Sequence, residues 1–175
     1  RVLEPGALAG RHVVIVGGGD SAFDWAHQLQ GTAASIALVH RSDRFRAHHA
    51  TVEAVQADAA AGRTAMYTFH ELHEIYAVDG VIHDIELRNV KAQTTTRLRC
   101  DVVLPMLGFV SDLGNLMQWG LHVEKDEICV NSMMETGRPG IYAAGDITSY
   151  PGKLKLIATG FAEAATAVNQ AFHWI

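Results

Sequence analysis

The sequence predicts an α/β fold built on a parallel sheet, and three observations carry this prediction. A compact apolar run at 12–16 leads into three consecutive glycines at 17–19. Apolar residues then recur with helical spacing over 21–30, and a second apolar run follows at 35–40. Apolar runs of strand length are typical of parallel sheets, whose faces are covered by helices. The order strand, glycine turn, helix, strand is that of a βαβ unit.

Composition excludes several classes of protein. Of the 175 residues, 49% are hydrophobic and 19% charged, which argues against disorder. The net charge of −5 gives no reason to expect a nucleic-acid partner or an anionic membrane surface. The longest apolar runs, such as VVLPMLGFV, are too short to cross a bilayer. Cys100 and Cys129 are far apart and form no CxxC pair, so we expect a reduced, cytoplasmic setting.

The ten histidines raise the question of a metal site, above all at His48-His49 and at His70-x-x-His73. Metal centres in proteins combine histidine with cysteine or carboxylate ligands at short, regular spacings. Cysteines and carboxylates do not cluster with these histidines along the sequence at such spacings. We therefore predict no metal ligand.

The remaining elements alternate between helix and strand patterns. Up to Gly108 we expect a helix at 51–61, a strand at 64–69, a hairpin at 72–87 around Asp79-Gly80, a strand at 94–99 and a buried strand at 102–107. Beyond it we expect a short helical turn at 111–120, short strands at 127–131 and 140–144, and a terminal helix at 157–172. That helix carries one apolar stripe, made of Ile157, Phe161, Ala165, Val168 and Phe172. No low-complexity linker separates the halves 1–108 and 109–175, so we expect them to join directly near 105–112.

The glycine turn fits a nucleotide-binding sequence. Gly17, Gly19 and Ala22 match G-x-G-x-x-G/A between a strand and a helix, as in a Rossmann-like βαβ domain of three layers. The first glycine permits the tight turn, the second lets a backbone approach a pyrophosphate, and the small third residue lets helix and strand pack closely. The free N–H groups of the helix start also attract phosphate. The alternative is a glycine-rich turn that serves packing alone.

The end of the second strand indicates which dinucleotide is bound. NAD sites have an acidic residue about twenty residues downstream of the first glycine, where it accepts from the ribose 2′-hydroxyl. Here that place holds His40 and Arg41, with Arg44 and Arg46 following. Cationic donors suit a 2′-phosphate, which a carboxylate would repel. The sequence therefore predicts NADP(H), against the alternative that HRSDRFR is only a solvated loop.

Four stretches together resemble the thioredoxin-reductase-like type of ferredoxin–NADP reductase, within the wider thioredoxin reductase family. They are GGGDSAFDWA (17–26), HRSDRFRAH (40–48), LGFVSDLG (107–114) and GIYAAGDITSYPGKLKLIATGFAEAATAVNQA (140–171). The resemblance covers nearly all of the chain. In that family an NADPH domain is inserted into a split FAD domain. The resemblance implies that 1–108 is the NADP(H)-binding domain and that 109–175 is the second segment of the FAD-binding domain, the first segment being absent. The chain would then be part of a longer protein, and we expect this part alone to carry little or no FAD.

Site residues follow from the same resemblance. The pyrophosphate loop is matched by Gly17, Gly18, Gly19, Asp20, Ser21 and Ala22, and the 2′-phosphate site by His40, Arg41 and Arg46. Ser42 departs from the thioredoxin reductases, which commonly have a second arginine there. Gly145 and Asp146 match the motif whose aspartate accepts from a flavin ribityl hydroxyl, and Thr159 lies at the helix start that faces the flavin. No catalytic side chain is expected, because the cofactors carry the chemistry.

The resemblance also predicts partners. In thioredoxin reductases the second redox cysteine precedes the first NADP glycine by fourteen residues, a position held here by Leu3. Reduction of thioredoxin by an internal dithiol is therefore not expected. The family instead implies hydride transfer from NADPH to FAD, with ferredoxin or flavodoxin as acceptor and with hinges near Leu8 and Gly108. A homodimer is expected, because apolar residues of 141–172 such as Phe161 and Val168 would otherwise be uncovered.

Two other functions remain open from the sequence alone. One is a flavin-dependent diaphorase or a thioredoxin-reductase-like enzyme with a different electron acceptor. The other is a stand-alone NADP-binding module without FAD, against which the Gly145-Asp146-Ile147 segment argues.

Overall fold

The computed structural model describes residues 4–108 and 112–173. The chain divides into two compact units, 1–108 and 109–175. Leu3 lies outside the described residues, as do the central three residues of the LGFVSDLG stretch and the first residue of the expected helical turn at 111–120.

A four-stranded parallel sheet forms the centre of the first unit. Its strands are β1 (His12–Val16), β2 (Ser35–His40), β3 (Ala65–Thr68) and β7 (Val102–Pro105). Their order in the sheet is β3-β2-β1-β7, so the βαβ unit predicted from the sequence lies at the middle of the sheet. Strand β7 is an edge strand and is half-buried, not buried as the sequence predicted.

Helices α1 (Asp20–Gln28) and α2 (His49–Ala60) cover one face of this sheet. Phe23, Ala26 and Leu29 of the α1 region and Val55 of α2 are buried together with Ile15 and other inward residues of β1 and β2. Because successive strand residues point to opposite faces, Val14, Ala37 and Val39 face the other way.

A three-stranded antiparallel sheet covers that other face. Its order is β4-β5-β6, and its strands are β4 (His70–Val78), β5 (Val81–Asn89) and β6 (Thr95–Arg99). Ile85 and Leu87 of β5 are fully buried against the apolar residues of β1 and β2. Helices, parallel sheet and antiparallel sheet thus form the three-layer α/β architecture that the sequence predicts.

The second unit contains little sheet and one long helix. A 3₁₀ helix (Gly114–Trp119) precedes a small sheet of β8 (Val123–Glu124), β9 (Glu127–Cys129) and β10 (Thr148–Ser149), and α3 (Ile157–Phe172) closes the unit. The strand expected at 140–144 is not formed. The segment makes one isolated bridge, between Glu135 and Tyr142, because it turns at Gly140 and Gly145, both of which have positive φ.

The apolar stripe of α3 faces away from the rest of its unit. Glu163 and Ala167 are the buried residues of this helix. Ile157, Phe161, Val168 and Phe172 are 83%, 74%, 71% and 75% exposed within the chain. Among the described residues, no helix is long and apolar enough to cross a membrane.

Candidate functional site

The glycine turn connects the end of β1 to the start of α1. A Cβ atom on Gly17 would lie 2.3 Å from the carbonyl oxygen of Met106 and 3.1 Å from the Cβ of Ala22. Gly17 therefore has no room for a side chain, and the small Ala22 completes the close packing of helix on strand. Gly19 differs, because a Cβ there would meet no atom within 4 Å. The space beside Gly19 is open to a ligand at the N-terminus of α1.

His40 covers the middle glycine of the turn. A Cβ on Gly18 would lie 2.4 Å from the His40 ring, so imidazole and backbone are in direct apposition. The ring is held on its other sides: Nε2 donates to the carbonyl oxygen of Arg44 at 3.1 Å, and the Phe45 ring lies 5.6 Å away between centroids. Phe45 in turn packs edge-on against Phe23 of α1 at 4.9 Å.

Two hydrogen bonds attach the segment after β2 to the glycine turn. The backbone amide of Arg46 donates to the carbonyl oxygen of Gly18 at 2.7 Å. The amide of His48, the residue that caps α2, donates to Oδ1 of Asp20 at 2.7 Å. Asp20 therefore joins the starts of α1 and α2, and its carboxylate has a structural partner. This role was not predicted from the sequence.

The cationic side chains of this segment lie at the surface. Arg41, Arg44 and Arg46 are exposed, as is Ser21, whereas His40 is half-buried. Exposed guanidinium groups on a segment that is bonded to the glycine turn through the Arg46 amide are suited to phosphate groups. The donor set thus fits a phosphorylated dinucleotide, with Gly19 giving access to the backbone.

In the second unit, a network of buried polar groups surrounds Gly145. Its amide donates to Oε2 of Glu163 at 2.8 Å, and its carbonyl oxygen accepts from Nζ of Lys153 at 2.9 Å. Lys153 and Glu163 form an ion pair, with Nζ 2.6 Å from Oε2, and their side chains are 7% and 4% exposed. Thr148 Oγ1 also donates to the Gly145 carbonyl oxygen, at 2.8 Å. The neighbouring Asp146 is exposed.

The carboxylate of Glu163 is the centre of this network. Burial by itself would raise its pKa, but hydrogen bonds from Lys153, Tyr150 and Gly145 outweigh burial and hold the pKa below the ordinary value. The Tyr150 hydroxyl donates to Oε1 at 2.6 Å. This hydrogen bond to the Glu163 carboxylate is the main reason that the pKa of Tyr150 is raised, and burial is the second.

The start of α3 lies against the same turn. A Cβ on Gly160 would approach the Cα of Gly145 to 3.3 Å, so helix and turn are in close contact. Thr159, one residue earlier, is half-buried in the first turn of the helix. The structure thus brings the Gly145 turn and the start of α3 together.

One cluster of possible metal ligands lies elsewhere in the second unit. The donor atoms of His122, Glu124 and Cys129 all lie within 4.8 Å of one another, because the three residues share one face of the β8–β9 hairpin. This cluster was not singled out from the sequence, because its three residues come together through the hairpin and not through a metal-site spacing along the chain. His122 and Glu124 are 68% and 65% exposed, and groups this exposed often meet without an ion, so we assign them no metal role.

Comparison with known proteins identifies the family. The model of the pyridine nucleotide-disulphide oxidoreductase family matches residues 2–171. The chain belongs to this family. Membership in this pyridine nucleotide-disulphide oxidoreductase family confirms the resemblance stated above and the oxidoreductase class. For the whole protein, this membership implies FAD and NADP(H) as cofactors.

Within the pyridine nucleotide-disulphide oxidoreductases, the curated relatives similar to this chain include ferredoxin–NADP reductases. A ferredoxin–NADP reductase of Nocardioides sp. is 53% identical over 163 residues, which are 93% of this chain and 47% of the relative. Another, of Halalkalibacterium halodurans, is 48% identical over 165 residues, covering 94% of this chain and 49% of the relative. The chain spans about half the length of the curated relatives it matches.

Solved structures show the same fold. The thioredoxin reductase of Lactococcus lactis aligns with a TM-score of 0.80 at 24% identity, over 97% of this chain and 54% of that one. The thioredoxin reductase of T. acidophilum aligns with a TM-score of 0.81 at 20% identity, again over 97% and 54%. These likenesses confirm the predicted fold class.

Sequence reasoning missed Lys153, Glu163 and Tyr150. On a helix pattern, Glu163 is expected at the solvent side, opposite the apolar stripe. The structure reverses that assignment. The signal available in the sequence was Lys153, ten residues before Glu163 and close after Gly145-Asp146, but spacing alone does not show that the two charges meet.

Proposed function

We propose that this chain binds NADP(H) at the glycine turn of its first unit and contributes Gly145, Asp146 and the start of α3 to a flavin site. The observation that supports it most directly is the contrast within the turn: Gly17 and Gly18 are closed by neighbours, while Gly19 is open at the N-terminus of α1. Exposed Arg41 and Arg46 next to that opening supply cationic donors for a 2′-phosphate.

We further propose a ferredoxin–NADP reductase activity for the protein in which this chain acts, in keeping with the names of its relatives. Bound NADPH and FAD would supply the hydride-transfer and single-electron chemistry that reduces ferredoxin or flavodoxin. The chain's own residues bind and orient: the α1 start and its glycines hold the pyrophosphate, the arginines select the 2′-phosphate, and Asp146 accepts from the ribityl chain. A homodimer in the cytoplasm is part of the proposal, and the free thiols of Cys100 and Cys129 are consistent with a reducing compartment.

Calorimetric titration of the chain with NADPH and with NADH tests the nucleotide half of this proposal. We expect tighter binding of NADPH. Equal affinity for the two would contradict the assignment of His40, Arg41 and Arg46 to a 2′-phosphate site.

Acceptor-swap kinetics on the flavin-loaded protein, with ferredoxin, flavodoxin and artificial dyes, distinguish the proposed reductase from a diaphorase that uses another acceptor. A protein that binds NADPH but never flavin would be the stand-alone module.

A further inference from the structure

The ion pair between Lys153 and Glu163 is buried in the second unit. Both side chains are more than nine-tenths buried. Removing two charges from water costs several kcal/mol per ion, and the pair offsets this only when its remaining polar atoms are also satisfied. A buried ion pair is weak evidence that it stabilises the fold, so its role has to be inferred from the groups that it contacts.

Those contacts converge on one residue. Glu163 accepts from the amide of Gly145 at 2.8 Å, and Lys153 donates to the carbonyl oxygen of the same Gly145 at 2.9 Å. The pair therefore contacts both polar backbone atoms of Gly145, and the amide and hydroxyl of Thr148 also donate to its carbonyl oxygen. The φ of Gly145, +86°, is in the region that favours glycine. The peptide that joins Gly145 to Asp146 is thereby fixed in orientation.

We propose that Lys153 and Glu163 are positioning residues that fix the Gly145–Asp146 turn and thereby set the direction of the Asp146 carboxylate. The inference rests on the proposed contact between Asp146 and a flavin. Tyr150 supports the arrangement, because its hydroxyl satisfies the Oε1 atom of Glu163.

Amide hydrogen exchange on the whole chain tests the positioning directly. Lys153→Met removes the donor to the Gly145 carbonyl oxygen and leaves Glu163 to accept from the Gly145 amide. Because the lost bond loosens the turn, we expect that amide to exchange at least about tenfold faster than in the unaltered chain, the scale of one hydrogen bond to a charged group. The reference is the amide of Ile128, which bonds to Ile147 in the small sheet of the same unit. General destabilisation accelerates both amides together, whereas lost positioning raises the ratio of the Gly145 rate to the Ile128 rate.

Matched variants sharpen this measurement. Lys155 pairs with Glu127 in the same unit but is exposed, so Lys155→Met should leave the ratio within about twofold. Lys153→Arg keeps the charge and should restore part of the protection, and Glu163→Gln should raise the ratio as Lys153→Met does. A ratio that stays constant in both Lys153→Met and Glu163→Gln overturns the proposal.

A flavin experiment separates this inference from the proposed function. The chain is co-expressed with the part of the Nocardioides sp. relative that it does not match, and retained FAD is measured by absorbance. Loss of FAD in Asp146→Ala and in Lys153→Met supports both claims. Loss in Asp146→Ala alone overturns the inference and leaves the function standing. Retention in Asp146→Ala, or no flavin in the unaltered pair, counts against the proposed flavin site, and the exchange ratio then decides on positioning.

Discussion

The backbone amide of Arg46 donates to the carbonyl oxygen of Gly18, at 2.7 Å. This bond joins a cationic segment to a glycine turn that lies 28 positions earlier, where parallel strands β1 and β2 both end. The carboxyl ends of adjacent parallel strands are where α/β proteins bind ligands. The glycine turn and the cationic segment are therefore held together at the ligand-binding edge typical of this fold class.

Replacing Arg41 by alanine should weaken NADPH binding and leave NADH binding unchanged. Arg41 is exposed at the end of β2, where a 2′-phosphate would accept from it. The expected loss for NADPH is about 1–3 kcal/mol, the scale of a charge-assisted hydrogen bond. Calorimetry with both nucleotides measures it, and Arg99→Ala, an exposed arginine at the end of β6, is the control. Equal losses for both nucleotides would contradict the prediction.

Alanine at Gly17 should lower the stability of the fold, whereas alanine at Gly19 should lower the affinity for NADPH. At Gly17 the new Cβ meets the backbone of Met106 at 2.3 Å, so the free energy of unfolding should fall by about 1–3 kcal/mol. At Gly19 the Cβ meets nothing within 4 Å, so stability should change by less than about 1 kcal/mol while NADPH affinity falls. Urea denaturation and nucleotide titration of both variants test this contrast. Normal NADPH binding by Gly19→Ala would show that the ligand does not approach that glycine.

The second unit should lose stability in acid through Glu163. Its folded pKa lies below the unfolded value near 4.5, so the carboxylate contributes stability that is fully present above pH 4.5. That contribution is lost as the pH falls through the folded pKa. Glu163→Gln should be less stable at neutral pH and show a flatter acid dependence, followed by exchange of the Ile128 amide. The exposed Glu124→Gln is the control, and an unchanged acid profile in Glu163→Gln would refute the prediction.

The exposed stripe of α3 should make the isolated chain self-associate. Four large apolar side chains, each more than 70% exposed, lie along one face of the helix: Ile157, Phe161, Val168 and Phe172. Soluble monomers rarely expose large contiguous apolar patches, and a second copy of the chain is available to cover this one. Light scattering should show dimers that dissociate in the double variant Phe161→Glu, Val168→Glu. Ala162 is also exposed but does not belong to the apolar stripe, so the Ala162→Glu variant should stay dimeric. A monomer at high concentration, with the α3 amides protected from exchange, would contradict self-association.

The sequence by itself determined the local elements and the place of the glycine turn. The bounds of β1, β2 and α3 agree with the structure because a buried apolar run and an apolar stripe of helical period are both local patterns. The glycines at 17–19 could be assigned for the same reason, since the constraints on a tight turn act within a few residues. The strand expected at 140–144 failed because a strand also needs a partner, and the segment finds one bridge only.

Only the tertiary structure decided which neighbours each pattern meets. Periodicity shows that α3 has an apolar face, but within this chain the buried face is the one with Glu163 and Ala167. The fold also brings Lys153 and Glu163 onto Gly145, and Arg46 and His48 onto the glycine turn. Such contacts depend on where separate elements pack. The residues next to a charged side chain in the sequence do not show which residue it will pair with, whereas the helical period of an apolar face is visible in the sequence itself.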